Sequence, residues 1–491
     1  MLVEEEYIKR IFGLKLKQTR LEKNLSLFGL AKLTGLSKSY LNEIEKGKKY
    51  PKHDKIIILS DKLDVPYDYL VSLKLDKNLT PLGDILQSKI LKEIPLELFG
   101  IKEDNLIDII SEAPDKVNAF ISTLIEIARD YNLGKENFFL RALRSYQESH
   151  YNYFHEIENE VERFAEAYQI DRNQLDSKYL EEILVEEYHY TINYKKIYKY
   201  PELENMRSVF KPKNKTLWVS NTIDDSQKAF IFAKEIAFNF WEITERLYSF
   251  PWAEITGFDA LLNNFKASYF AGALLISKNE LLEDLKIFLA KETWNCDDFE
   301  KLMFKYSTSP ETFYQRLTNL LPRYFNLKDL FFLRIVNKTD SDNYYVNKQL
   351  HLSQQFMPVT NVVNEHYCRK WVSLKNIKKI KENQEKITHI TDLQISSYVE
   401  EKQSYLVFST AIKDSVRKDS WRSINLGILF NNHTKRKIVF SEDQSIKENH
   451  VGVTCENCMV FDCEARVVKP IRLEKREKEK RLKEVINKIV K

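Results

Sequence analysis

Closely spaced helix-capping signals near the N-terminus restrict the start of this chain to short, packed helices. Ser26 and Ser37 each precede a short run with helical apolar spacing, and serine is a preferred helix N-cap. Gly35 can supply the left-handed turn between the two runs, and Gly47 ends the second. The pattern predicts five helices over residues 7–73, with a helix-turn-helix at residues 27–46. The expected inward-facing side chains are Leu30, Ala31, Leu36, Leu41 and Ile44.

Charge is distributed unevenly along the chain. The formal net charge is +4, but residues 1–75 carry 15 Lys and Arg against 10 Asp and Glu, and residues 469–491 carry 10 against 4. The N-terminal 75 residues, which we call the head, are therefore basic, whereas the middle of the chain is acidic. This distribution favours a polyanionic partner for the head. The chain opens with three glutamates and has no apolar run of about 20 residues, so we expect a cytoplasmic protein without a membrane span.

The head resembles the XRE/lambda-repressor-like family over residues 16–20, Leu30-Ala31 and residues 35–47. The resemblance implies that Arg20 and Glu45 form an ion pair between the first and third helices. It also places the third helix in the major groove of double-stranded DNA. The expected DNA-contacting residues are Lys38, Ser39, Tyr40, Asn42, Glu43, Lys46 and Lys48. The family usually has a phosphate-contacting Gln where this chain has Leu27. A helical protein-binding module is the alternative for this head.

The middle of the chain reads as helical. Few Gly or Pro residues interrupt residues 76–185, and helices are expected over about 103–113, 115–133 and 136–168. Such helices could form a dimer interface or an intradomain bundle. A homodimer is expected if the operator is palindromic.

Residues 186–349 resemble the ImmA/IrrE metallopeptidase-like domain through the helical run 226–238 and the run 265–276, after a strand at 190–194. That family carries H-E-x-x-H on the first helix. Here Lys234 and Phe238 replace the two histidines, and only Glu235 remains. Phe has no donor atom and we expect Lys234 to be protonated near neutral pH, so zinc cannot be held here. We therefore expect a zincin-like domain without metal and without enzymatic activity, in which Glu235 is a surface or pocket charge.

Four of the five cysteines suggest one soft-metal site. Cys455, Cys458 and Cys463 lie close together in sequence, and Cys368 lies upstream. Their spacing fits a [4Fe-4S] cluster and structural zinc about equally. Packing cysteines or disulfides are the remaining alternatives, and the scarcity of cysteine disfavours disulfides.

Further stretches resemble the short-chain fatty acyl transcriptional regulators of the PrpR/RamB type. They are residues 95–100, 119–128, 143–147, 316–322 and 330–334, together with Cys368-Arg369-Lys370-Trp371 and the Cys455 group. The resemblance implies regulation of short-chain acyl or carboxylate metabolism and a response to an acyl-CoA. It also favours the [4Fe-4S] cluster over zinc, with Cys368, Cys455, Cys458 and Cys463 as ligands.

The C-terminal region alternates between strand-like and helical runs. Residues 405–411, 423–429 and 437–440 are predicted strands of a small α/β sensor domain over 350–470. Residues 471–491 are expected to form a basic amphipathic helix with Leu482, Val485, Ile486 and Ile489 on one face. The whole chain is therefore expected to be α+β and predominantly helical, with a DNA-binding domain at 1–75. The expected function is a DNA-binding regulator that responds to an acyl-CoA or an iron–sulfur cluster, with redox- or iron-only sensing as the alternative.

Overall fold

A computed structural model of the chain describes residues 2–73, 135–172, 175–251, 253–352, 365–383, 387–417 and 419–490. The chain divides into two compact units, residues 1–142 and 143–491. The expected helices at 103–113 and 115–133 lie outside the described residues. The fold is mixed α+β, with the helix-turn-helix in the first unit and both sheets in the second.

The head consists of five helices around one apolar core. They are α1 (Leu2–Glu22), α2 (Leu27–Thr34), α3 (Lys38–Glu45), α4 (His53–Leu63) and α5 (Tyr67–Val71). Leu30, Leu41 and Ile44 are buried in this core as predicted, and Ala31 and Leu36 pack against it. The caps are also as predicted: Ser26 Oγ accepts from the backbone N–H of Gly29, and Ser37 Oγ accepts from that of Tyr40.

The helical part of the second unit packs on a small four-stranded sheet. Its helices and strands are α6 (Lys135–Ser149, which the division between units cuts), α7 (His155–Ala167), α8 (Ser177–Glu186), β1 (Thr191–Asn193), β2 (Ser208–Lys211), β3 (Thr216–Val219), α9 (Asp225–Phe240), β4 (Ser249–Phe250), α10 (Phe258–Leu275), α11 (Lys278–Leu289), α12 (Cys296–Phe304) and α13 (Pro310–Tyr324). The strand order is β1-β3-β2-β4, with only β1 and β3 parallel. The α9 and α10 pair contains the two predicted helical runs.

The single helix expected over 136–168 is interrupted between α6 and α7. Tyr151 and Asn152 have positive φ angles there, 49° and 52°. The Asn152 side chain donates to Thr318 Oγ1 at 2.8 Å, and its carbonyl accepts from Asn319 Nδ2 at 2.8 Å. These bonds to α13 replace the hydrogen bonds that a continuous helix would make, so the expectation of one long helix was wrong.

A six-stranded sheet forms the centre of the C-terminal half. Its elements are β5 (Leu330–Lys338), β6 (Tyr344–His351), α14 (Val372–Glu382), β7 (His389–Tyr398), β8 (Gln403–Lys413), β9 (Ser420–Leu429), α15 (Asn432–Lys437) and β10 (Lys447–Val451), followed by α16 (Ile471–Val490). The strand order is β10-β7-β8-β9-β5-β6, with only β10 and β7 parallel. The boundary expected between residues 349 and 350 falls inside β6.

Both faces of this sheet are buried. Leu330, Phe332 and Phe408 face the larger core, which also contains α13 and α12. Alternate residues such as Phe331 and Val407 face a second core beneath α14. Predicted strands 405–411 and 423–429 lie within β8 and β9. The predicted strand 437–440 is wrong: Asn431 Oδ1 caps α15 by accepting from two backbone N–H groups, and a 3-10 turn follows at Val439–Glu442.

Candidate nucleic-acid interface and cysteine pocket

The third helix of the head presents a polar face to solvent. Lys38, Ser39, Asn42, Glu43, Lys46 and Lys48 are all exposed. Tyr40 is half-buried, and Lys49 Nζ lies 5.2 Å from the centre of its ring. Glu43 is 3.5 Å from the same Lys49 ammonium. All seven predicted DNA-contacting residues are therefore accessible on or just after one short helix.

The position of α3 is fixed by an ion pair and by a close backbone contact. Arg20 Nε and Nη2 donate to the two Glu45 carboxylate oxygens at 2.6 and 2.9 Å, and Nη1 donates to the Leu25 carbonyl. This is the pair that the family resemblance implied. Gly13, which the sequence reasoning missed, lets α1 approach α3: a Cβ on it would lie 2.2 Å from the Ile44 carbonyl oxygen. A glycine inside a helical pattern was the available signal.

The start of α2 differs from the family pattern as the sequence suggested. Phe28 is 57% exposed, and Lys32 Nζ lies 5.0 Å from the centre of its ring. An ammonium over an aromatic ring remains able to contact a phosphate. The structure thus offers a lysine near the position where the family usually has a phosphate-contacting Gln.

The four predicted ligand cysteines meet at one small pocket. Cys368, Cys455, Cys458 and Cys463 line it together with Arg369 and Arg466. Backbone hydrogen bonds bring the two segments together: Cys368 N–H donates to the Val453 carbonyl, and Cys455 N–H donates to the His366 carbonyl. None of these thiols is in a disulfide. Cys296, the fifth, instead donates to the Thr391 carbonyl at 3.1 Å.

The electrostatics of this pocket oppose free thiolates. Burial raises the pKa of Cys368, and the neighbouring Cys455 and Cys458 raise it further. Burial also raises the pKa of Cys458, against the opposing effect of Arg466.

Gly452, which the sequence analysis also missed, is required beside Cys458, because a Cβ on it would lie 2.9 Å from the Cys458 sulfur. Within the described part of the chain, no three or more His, Cys, Asp or Glu side chains are grouped closely enough to hold a metal ion.

The three positions singled out by the resemblance to the metallopeptidase-like domain, Lys234, Glu235 and Phe238, are all buried on α9. Glu235 is 4% exposed and binds Arg246 Nη2 at 2.5 Å, and Tyr190 donates to its other carboxylate oxygen. The surface alternative for Glu235 was therefore wrong. Burial lowers the pKa of Lys234 to about 7. Phe238 stacks against the Arg246 guanidinium, 3.8 Å from the ring centre.

A comparison with family sequence models agrees with the geometry of the head. The sequence model of the Helix-turn-helix family matches residues 16–70. A solved structure described as a Mycobacterium tuberculosis transcriptional regulator is 17% identical, covers 66% of this chain and 92% of its own, and has a TM-score of 0.46. No curated protein shows significant similarity to the chain. Among the described helices, none is long and apolar enough to cross a membrane. The head of the chain is therefore a helix-turn-helix DNA-binding domain, of the kind that transcriptional regulators carry.

Proposed function

We propose that the protein is a sequence-specific DNA-binding transcriptional regulator that reads the major groove with α3. The observation that carries the proposal is the exposed polar face of α3, held in place by the buried pair of Arg20 and Glu45. Asn42 and Glu43 have the amide and carboxylate groups that read base edges, whereas Lys38, Lys46 and Lys48 suit phosphates.

The test separates phosphate contacts from base contacts. Lys38→Glu should weaken binding to every DNA sequence and make the dependence of affinity on salt shallower by about one unit. Asn42→Ala should instead change the preference among sequences selected from a random pool. Lys213→Glu, an exposed lysine in the other unit, serves as the charge-reversal control. If the Lys38 and Asn42 variants had the same effect on every sequence, α3 would not be the reading helix.

We further propose that Cys368, Cys455, Cys458 and Cys463 hold a [4Fe-4S] cluster, with structural zinc as the alternative. The supporting observation is that four of the five cysteines line one pocket with no disulfide among them. In a tetrahedral zinc site the four sulfurs each lie about 2.3 Å from one ion, whereas in a cubane each thiolate binds a different iron. The four cysteine sulfurs of a cubane site therefore lie farther apart from one another than the four sulfurs of a zinc site. When bound, the cluster would supply redox or iron sensitivity, and the cysteine thiolates would anchor it.

Anaerobic purification with iron, sulfide and zinc assays distinguishes the two metals. We expect about four irons per chain and broad absorption near ~400 nm, both lost in Cys458→Ala. Cys296→Ala is the matched control, because this thiol lies outside the pocket. One zinc per chain, with no iron, would make the same cysteines a structural site.

We also propose an acyl-CoA effector, on the family resemblance, and a homodimer, which would match a palindromic operator. An acyl-CoA titration that leaves DNA affinity unchanged would favour redox- or iron-only sensing. Light scattering of the full chain, with and without DNA, measures the oligomeric state.

The protein is proposed not to be a peptidase. Glu235 is engaged by Arg246 and Tyr190, which removes it from the role of general base. Proteolytic activity that depends on Glu235 would contradict this.

A further inference from the structure

Two arginines line the cysteine pocket together with the four thiols. Arg369 directly follows Cys368, and Arg466 lies three residues after Cys463. The other residues in the lining, besides the cysteines, carry no charge: they are Thr454 and Ala465. The residues that line the pocket therefore include two cations and no carboxylate.

Arg466 is held across the loop that carries three of the cysteines. Its Nη1 donates to the Cys455 carbonyl at 3.3 Å, and its Nη2 donates to the Val460 carbonyl. Both acceptors are neutral backbone oxygens, so these bonds fix the position of the guanidinium without cancelling its charge. The charge acts on the thiols, since Arg466 opposes the effect of burial on the pKa of Cys458.

Arg369 also has only neutral partners among the described residues. Its Nη2 donates to the Asp342 backbone carbonyl at 2.7 Å, and its guanidinium carbon lies 4.5 Å from the centre of the Tyr344 ring. Its Nη1 is buried without a hydrogen-bond partner in the part of the chain that the structure describes. A buried guanidinium N–H without an acceptor is costly. The unbonded donor of an arginine in the pocket lining therefore indicates an acceptor in the pocket.

The carboxylates next to the ligand cysteines are engaged outside the pocket. Glu456 accepts from the backbone N–H of His366 at 3.0 Å and lies 2.7 Å from Nδ1 of the same residue. Glu365 Oε1 accepts from Asn457 Nδ2 at 2.8 Å. In the described structure, neither glutamate lines the pocket or forms an ion pair with its arginines. These two carboxylates therefore do not neutralise the positive charge of the pocket.

Four ligand thiolates would balance the two arginines. Zn²⁺ with four thiolates carries two net negative charges, and a [4Fe-4S]²⁺ core with four thiolates carries the same net charge. Burying such a centre is costly unless cations and hydrogen-bond donors compensate it. Two guanidinium groups supply two positive charges, so the occupied pocket would be neutral overall. This balance is the same for either metal.

We propose that Arg369 and Arg466 are the counter-ions of the metal centre that the four cysteines hold, and that they set its metal affinity and, for a cluster, its reduction potential. The inference rests on the proposed cysteine site but not on which metal fills it. One-electron reduction of a [4Fe-4S] cluster adds a third negative charge, which the two guanidinium groups stabilise. Without one of them the reduced form is less stable relative to the oxidised form, so the potential falls.

Charge-removing and charge-keeping variants of Arg369 test the proposal in the full-length protein. For iron-loaded protein, the potential is measured by anaerobic titration with dithionite. Arg369→Gln should shift the one-electron equilibrium towards the oxidised cluster at least about tenfold, which is a fall of about 59 mV, and Arg369→Lys should cause less than half of that fall. For zinc-loaded protein, competition with a chelator should show binding at least about tenfold weaker in Arg369→Gln but not in Arg369→Lys.

Further variants separate the charge from packing. Arg466→Gln should act in the same direction as Arg369→Gln, whereas Arg472→Gln, which removes an exposed arginine outside the pocket lining, should change neither quantity. Metal lost from Arg369→Gln but kept by Arg369→Lys would support the proposal. Equal effects of the two Arg369 variants, including loss of metal from both, would mean that the arginine acts through packing and would overturn it, as would wild-type values in Arg369→Gln. Wild-type protein that binds neither iron nor zinc would overturn the cysteine site itself, and this proposal with it.

Discussion

Removing one partner of the buried ion pair between α7 and α13 should destabilise the second unit strongly. Glu158 and Arg316 are each 1% exposed, and Arg316 donates to both carboxylate oxygens at 2.5 and 2.9 Å. Tyr269 also donates to Glu158, and Arg316 Nε donates to the Ile276 carbonyl. Arg316→Met leaves a buried carboxylate whose one remaining hydrogen-bond donor among the described side chains is Tyr269, so we expect a loss of about 3–5 kcal/mol.

The double variant Glu158→Gln/Arg316→Met distinguishes a charge effect from lost packing. Both charges are absent in it, so its loss should be smaller than the sum of the two single losses by about 2 kcal/mol or more. Urea unfolding of the full chain, followed by tryptophan fluorescence, suits the measurement because all six tryptophans lie in residues 143–491. Lys286→Met, which breaks the exposed pair with Glu283, should cost less than about 1 kcal/mol. An Arg316→Met loss below about 1 kcal/mol, or strict additivity, would refute the reasoning.

Three further outcomes are expected. Gly13→Ala should destabilise the head by about 2 kcal/mol or more and weaken DNA binding, because the new Cβ meets the Ile44 carbonyl at 2.2 Å; circular dichroism melts and DNA titration measure both effects. Gly427→Ala should lower the fluorescence-detected urea midpoint, since its Cβ would lie 2.2 Å from Phe331 Cζ; an unchanged midpoint would mean that Phe331 moves freely. Burial acts to raise the pKa of Glu158 and of Glu311, but the neighbouring arginines outweigh it: Arg316 lowers the pKa of Glu158, and Arg334 lowers the pKa of Glu311. The lowered carboxyl pKa values stabilise the folded state fully at pH values above the unfolded pKa of about 4.5, and this stabilisation is lost as the pH falls through the folded pKa values. The urea midpoint should therefore fall on acidification. Arg316→Met should make the urea midpoint depend less on pH.

The head was predictable because its signals are local. Ser26, Gly35 and Ser37 act on backbone groups within four residues, so the sequence alone contains both partners of each interaction. Together α2 and α3 run from Leu27 to Glu45, within one residue of the helix-turn-helix predicted at residues 27–46. Only the close approach at Gly13 required knowledge of how the helices pack.

The second unit was less predictable because distant residues determine its local structure. The break after α6 depends on Thr318 and Asn319, far along the chain from Asn152. A pattern search also cannot reveal that Glu235 is paired with Arg246 or that Lys234 is buried against Phe250. The four cysteines were found because their spacing is distinctive and the chain has only five. Their meeting in one pocket required the sheet.

The placement of the cysteine pocket makes it a late product of synthesis and folding. Cys368 precedes α14 and the last four strands of the sheet, whereas Cys455 follows β10, which pairs with β7 at the sheet edge. While β10 is still inside the ribosome, only one of the four thiols, that of Cys368, can therefore lie outside it. The pocket can close only after the loop between Cys368 and Cys455 has been ordered by the sheet. A closed pocket thus marks a chain that has been made at least as far as Cys463 and folded, and a chain truncated between Cys368 and Cys455 would have only one of the four pocket thiols.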